Sequence, residues 1–136
     1  MTDALVDTSV AVASIVAGHE AHRSTLDALG DRTLGLAGHA WFETFSVLTR
    51  LPAPARRSAG EVARILAHNF PGSHFIEPNE AAELTLRIPG LGITGGAVYD
   101  GLVGAAAASA GLTLISRDRR AANTYRAVGA RIELLI

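Results

Sequence analysis

The chain alternates short, unbroken apolar runs with longer segments of helical period. Ala4–Val6 reads as a first strand. Thr8–Val16 and His19–Leu29 follow as helices, the second stopped by Gly30. Thr33–Leu36 is a short strand. Ala40–Leu51 sets Trp41, Phe45 and Leu48 at i, i+4 and i+7, the spacing of one helix face, and Pro52 and Pro54 end it. Arg56–Asn69 is helical as far as Pro71-Gly72, and Ser73–Ile76 reads as a strand. Pro78 opens a helix to about Arg87. Pro89–Gly96 is a loop, Val98–Ala110 a helix capped by Gly111, and Leu112–Ser116 a strand. Arg119–Val128 is a last helix and Arg131–Leu135 a last strand. Apolar strands separated by helices predict a parallel sheet covered on both faces, an α/β fold. Residues 1–136 show no repeat, low-complexity tract or linker and are read as one domain with room for a real core.

Composition narrows the chemistry. Nearly half of the residues are apolar, which argues against disorder. There is no cysteine, so disulfides, thiolate metal sites and cysteine nucleophiles are excluded; this fits a cytoplasmic protein. The N-terminus has no basic stretch leading into a long apolar segment, so no signal peptide is expected. All twelve basic residues are arginine. Without lysine there is no P-loop and no Schiff base, and phosphoaspartate chemistry that leans on a lysine is disfavoured.

Between Ile88 and Ser116 the single charge is Asp100, in a stretch otherwise apolar and rich in small residues. A membrane span is disfavoured there, since an aspartate at a bilayer centre costs about 2.5–3.5 kcal/mol. A buried lone carboxylate needs a cation or a metal beside it. Ligands in open parallel sheets bind outside the carboxyl ends of the strands. Asp7 follows the first strand, Asp118 follows Leu112–Ser116, Asp100 starts the helix entering that strand, and Glu43 lies on a bordering helix. Four carboxylates brought together would repel one another without divalent ions. An all-oxygen ligand set selects Mg²⁺ or Mn²⁺. Net charge is −1, so a loaded site would leave a positive remainder and an arginine surface suited to a polyanion.

Each acid also has a plainer role open to it. Asp7 and Asp118 could cap the helices that follow them. Glu43 lies near Ser46 and Arg50 on the polar side of its helix and could be solvated, and Asp100 could pair with an arginine. Arg117, Arg119 and Arg120 either steer a phosphate backbone or form a solvated helix face. Gly90–Gly95 satisfies G-x-G-x-x-G but follows a helix where a dinucleotide site requires a strand. His19 and His22 make a weak metal pair, with surface or capping roles expected. Trp41, Phe42 and Phe45 are expected as core or dimer contacts rather than base-stacking platforms.

Four pieces carry a resemblance over essentially the whole chain: V-D-T-S (Val6–Ser9), E-T-F-S-V-L-T-R-L-P (Glu43–Pro52), G-G-A-V-Y-D (Gly95–Asp100) and L-I-S-R-D-R-R (Leu114–Arg120). In order and spacing they resemble PIN-domain proteins, and more closely the VapC-type toxins of bacterial toxin–antitoxin pairs. The resemblance implies a three-layer α/β/α sandwich around a parallel sheet. It implies Mg²⁺- or Mn²⁺-dependent RNA cleavage, inhibition by a cognate VapB-type antitoxin, and a homodimer. The family's acids fall on Asp7, Glu43, Asp100 and Asp118. Its hydroxyl residues fall on Ser116 and on Ser9 or Thr8. Under this reading Asp7 and Asp100 hold the principal metal, Glu43 and Asp118 complete the site, and the arginines contact RNA or antitoxin. The alternative is a non-catalytic PIN module that binds RNA or protein, its acids holding a structural ion.

Overall fold

A computed structural model describes residues Met1–Ile136. Strands β1 (Ala4–Val6), β2 (Leu34–Leu36), β3 (Leu114–Ser116) and β4 (Ile132–Leu134) form one parallel sheet in the order β2-β1-β3-β4. Every residue of β1, β2 and β3 is buried, which is why these runs are apolar without alternation. Seven helices cover the sheet: α1 (Thr8–Ile15), α2 (His22–Leu29), α3 (Ala40–Thr49), α4 (Ala59–Asn69), α5 (Pro78–Arg87), α6 (Ala97–Ala110) and α7 (Ala122–Ala127). The result is a three-layer α/β/α fold. α1 packs on α2 and α3, α3 on α4, and α6 on α7. The main core runs through the sheet from Leu5 and Val6 to Leu36, Leu48, Leu66, Leu114 and Ile115. No helix is long and apolar enough to cross a membrane.

Local chemistry sets the helix ends. Ser58 and Glu61 exchange side-chain and backbone bonds as a capping box at the start of α4, so this helix begins at Ala59 and not at Arg56. Pro78 opens α5, where the Glu80 carboxylate accepts the Glu77 N–H at 2.9 Å. Gly111 closes α6 at φ 67°, a left-handed conformation that favours glycine. Gly104 is needed for a different reason. A Cβ there would lie 2.7 Å from Val128 Cγ2 and 3.0 Å from the Tyr125 Cα, so its bare Cα is what lets α6 approach α7.

The expected strand Ser73–Ile76 is not formed. Its segment makes only isolated bridges to the β2 edge, Gly35 with Pro71 and Ala37 with His74. Pro71 has no N–H to give to a ladder. The Leu36 N–H is taken by the Ser73 hydroxyl at 2.9 Å rather than by a backbone carbonyl. The last helix is also shorter than Arg119–Val128, because Arg119–Ala121 form a turn ahead of α7. Gly90–Gly95 begins in a single 3-10 turn (Ile88–Leu91) directly after α5, with no strand before it, so it lacks the context of a dinucleotide site.

The strand order decides where a site can form. The chain runs from β1 to β2 on one side and later returns to β3 on the other side of β1. The order reverses between β1 and β3, and the crevice outside their carboxyl ends is the place for a ligand. Asp7 directly follows β1, and Arg117 and Asp118 follow β3.

Candidate active site at the carboxyl edge of the sheet

Asp7 is 3% exposed and serves both neighbouring strands. Its Oδ1 accepts from the Val10 N–H at 3.2 Å, capping α1, and from the Ser9 hydroxyl at 2.6 Å. Its Oδ2 accepts from the Ser116 hydroxyl at 2.5 Å and from the Tyr125 hydroxyl at 2.8 Å. The two serines are themselves oriented. Ser9 Oγ accepts the Arg117 N–H at 2.8 Å, and Ser116 Oγ accepts the Asp118 N–H at 2.9 Å. With their lone pairs so engaged, both hydroxyls point their protons at Asp7. The turn after β1 and the turn after β3 are thereby tied together through one carboxylate. Thr8 does something else: its hydroxyl donates to the Ala40 carbonyl and accepts from Thr44, joining α1 to α3.

Glu43 lies in the first turn of α3 and Asp100 in the first turn of α6. Both are half-buried. Burial pushes the Glu43 carboxyl above its usual range, His39 pulls it back, and the charges of Asp100 and Asp7 push it further up. Burial likewise raises Asp100, with Asp118 and Asp7 adding to the effect and Arg120 opposing it. Burial raises Asp7 against its four hydrogen bonds. The acids are thus close enough to feel one another. Neither Glu43 nor Asp100 accepts a hydrogen bond. No arginine comes within ion-pair distance of Asp7, Glu43 or Asp100, so the ion pair open to Asp100 in the sequence does not form.

Asp118 instead braces the turn ahead of α7 and does not cap that helix, whose N-cap Ala121 receives no side-chain bond. Its Oδ1 accepts from the Arg120 N–H at 2.9 Å and the Ala121 N–H at 3.4 Å, and lies 3.6 Å from Arg120 Nε. Arg119 and Arg120 are exposed and Arg117 is half-buried beside it.

Glu43 and Asp100, half-buried, raised by burial and by neighbouring charge and without an ion-pair partner, are carboxylates that a hard divalent ion would neutralise. As they stand, no three His, Asp or Glu side chains converge tightly enough to share one ion. Glu43 and Asp100 are the acids free of hydrogen bonds. A recess of about 310 Å³ opens beside Glu43, lined also by Thr8, His39, Ser46 and Arg50.

Tyr125 is a site residue that the sequence did not reveal. It is 3% exposed, and burial first, then the charge of Asp7, hold its phenol far above its ordinary value. It therefore stays a hydrogen-bond donor. In the sequence it is an aromatic residue near the chain end, indistinguishable from a core side chain. The two histidines behave as expected: His19 accepts the Ala21 N–H and His22 meets the Ala13 carbonyl. Trp41 and Phe45 stack at 5.3 Å and pack on the core, whereas Phe42 is 56% exposed.

Comparison with known proteins shows the family. The PIN domain family matches residues 4–127. Ribonuclease VapC27 of Mycobacterium tuberculosis is 40% identical over 127 residues, 93% of each chain. Ribonuclease VapC40 of the same species is 40% identical over 131 residues, 95% of this chain and 96% of its own. The chain belongs to the PIN-domain family and is a PIN protein of the VapC type.

Proposed function

We propose that this protein is a metal-dependent endoribonuclease and the toxin of a type II toxin–antitoxin pair, inhibited by a cognate VapB-type antitoxin. The observation that carries the reading is the set of partly buried acids, Glu43 and Asp100 beside Asp7, with no cation and no hydrogen bond to neutralise the first two. The names of the similar ribonucleases support the same substrate class.

Asp7, Asp100 and Glu43 would hold Mg²⁺ or Mn²⁺, with Asp118 at the margin. When bound, the ion supplies the charge that activates water and offsets the phosphodiester in transit. The chain supplies the rest. Ser9, Ser116 and Tyr125 fix both oxygens of Asp7 so that it need not reorganise. Glu43 and Asp100, raised by burial and by the neighbouring acids, are the carboxylates that gain most from a cation beside them. Arg117, Arg119 and Arg120 border the crevice and attract the phosphate backbone without reading sequence. The same arginines and acids offer an antitoxin its contacts.

The test is cleavage of labelled total RNA by the purified chain with Mn²⁺ or Mg²⁺, beside Asp100→Asn and an EDTA control. Metal-dependent fragments that vanish in the variant and on adding the antitoxin are expected. A folded wild type that binds RNA without cutting any pool would shift the reading to a non-catalytic PIN module.

A further inference from the structure

A row of aromatic rings runs away from the acids. Phe42, Tyr99 and Phe75 are 56%, 53% and 46% exposed. Phe42 directly precedes Glu43 and Tyr99 directly precedes Asp100. His39 joins them: it stacks on Tyr99 at 5.1 Å and 20°, and lies 6.3 Å from Phe42. Phe75 meets Phe42 edge-on at 6.1 Å. Behind His39, Phe42 and Phe75 lies an apolar recess of about 290 Å³, floored by Ile76 and Leu102. His39 and Phe42 line this recess and also the polar one beside Glu43, so one pair of rings separates an acid from an apolar cavity.

We propose that the apolar recess is a base-binding subsite. One unpaired nucleobase next to the scissile phosphate stacks against Phe42 and Phe75, while the phosphate lies over Glu43 and Asp100. This rests on the ribonuclease reading above. Three features select this occupant. A polymer whose phosphate reaches Glu43 has its neighbouring nucleoside within reach of Phe42 and His39, which line the recess beside Glu43 and the apolar one alike. No charged side chain lines the recess, so it rejects phosphate and admits a neutral flat ring. Its volume lies at the lower end of small-ligand sites, which begin near ~300 Å³, and suits a single ring system better than a peptide helix. Base–aromatic stacking tolerates any base, and His39 is the one titratable side chain in the recess. The subsite therefore reads whether a base is unpaired far more than which base it is. Loops should be cut and duplex stems spared.

The probe is a single-stranded RNA oligonucleotide carrying 2-aminopurine, titrated onto the wild-type chain with Ca²⁺, a hard ion that takes the same oxygen ligands, and read by fluorescence. The same oligonucleotide annealed to its complement is the second probe. Quenching by the single strand alone is expected. Phe75→Ala should weaken binding by about 5- to 150-fold, the stacking energy of one base, and Phe75→Trp should restore it. Unchanged affinity in Phe75→Ala, or equal quenching by the duplex, overturns the subsite. So does a loss of affinity that tracks a change from dimer to monomer in sedimentation, which would make the row an interface between copies. Failure of the parent reading is separate: a wild type that cleaves no RNA with Mn²⁺, whatever the titration gives.

Discussion

At Asp7 one carboxylate accepts from Ser9, Val10, Ser116 and Tyr125, and the last of these donors can be removed without changing shape. Tyr125→Phe should leave the circular dichroism spectrum intact and weaken Mn²⁺ binding by about 10- to 100-fold, the usual cost of losing a group that orients a metal ligand. Calorimetric titration checks this; unchanged affinity would remove Tyr125 from the site. Asp100 gives a prediction of opposite sign for stability. Its carboxyl is raised on folding from the ordinary 3.8, so folding favours its protonated form. That contribution is complete below 3.8 and is lost as pH rises through the folded value. In EDTA at pH 7, Asp100→Asn should therefore melt above wild type, and the gain should vanish as pH falls below 3.8. A lower melting point at pH 7 would mean that Asp100 is not repelled by its neighbours. Asp100 was legible in the sequence as the single charge of an apolar stretch, and Asp7, Glu43 and Asp118 from their places after the strands or on a bordering helix and from the family's motifs. Tyr125 was not, because its hydroxyl meets Asp7 across 118 residues and no local pattern encodes that contact.

Among the elements, the α6–α7 crossing is the tightest near the site. Gly104→Ala places a Cβ against the Tyr125 backbone, which cannot swing away as a side chain end would. Overpacking of this kind costs about 1–3 kcal/mol. A denaturant midpoint lowered accordingly, with weaker Mn²⁺ binding as Tyr125 shifts, is expected; a neutral effect would show that the two helices can part freely. All four strands of the sheet and most helices followed from apolar runs and end signals such as Pro78 and Gly111. The misread segment, Ser73–Ile76, has a strand's composition. What breaks its ladder is a side-chain bond from Ser73 to the neighbouring strand and the missing amide of Pro71, both properties of the pairing rather than of the segment. Asp118 was legible as a candidate for two roles; the structure ties its carboxylate to the Arg120 and Ala121 amides in the turn ahead of α7, where it caps no helix.

For the whole molecule, the proposed function links the acids, the arginines and the folded state through the ion. An ion that binds only the folded chain stabilises it by about 2.7 kcal/mol at a hundredfold excess over Kd. Mg²⁺ or Mn²⁺ should raise Tm by several degrees at pH 7 and hardly at all near pH 4, and Asp100→Asn should lose the effect. RNA binding should weaken with salt, and Arg120→Ala should flatten the slope of log K against log salt by about 0.7, one single-strand phosphate contact. The double duty of Asp7 has a consequence for lineages that have drifted from catalysis. A descendant with no need of an ion would still be selected to keep Asp7, or asparagine, to start α1 and clasp β1 to β3. Its presence in a distant relative is thus weak testimony to activity. Glu43 and Asp100 accept no hydrogen bond and form no ion pair, so under the proposed function they, more than Asp7, are the positions by which silent members of such a family can be told from working ones.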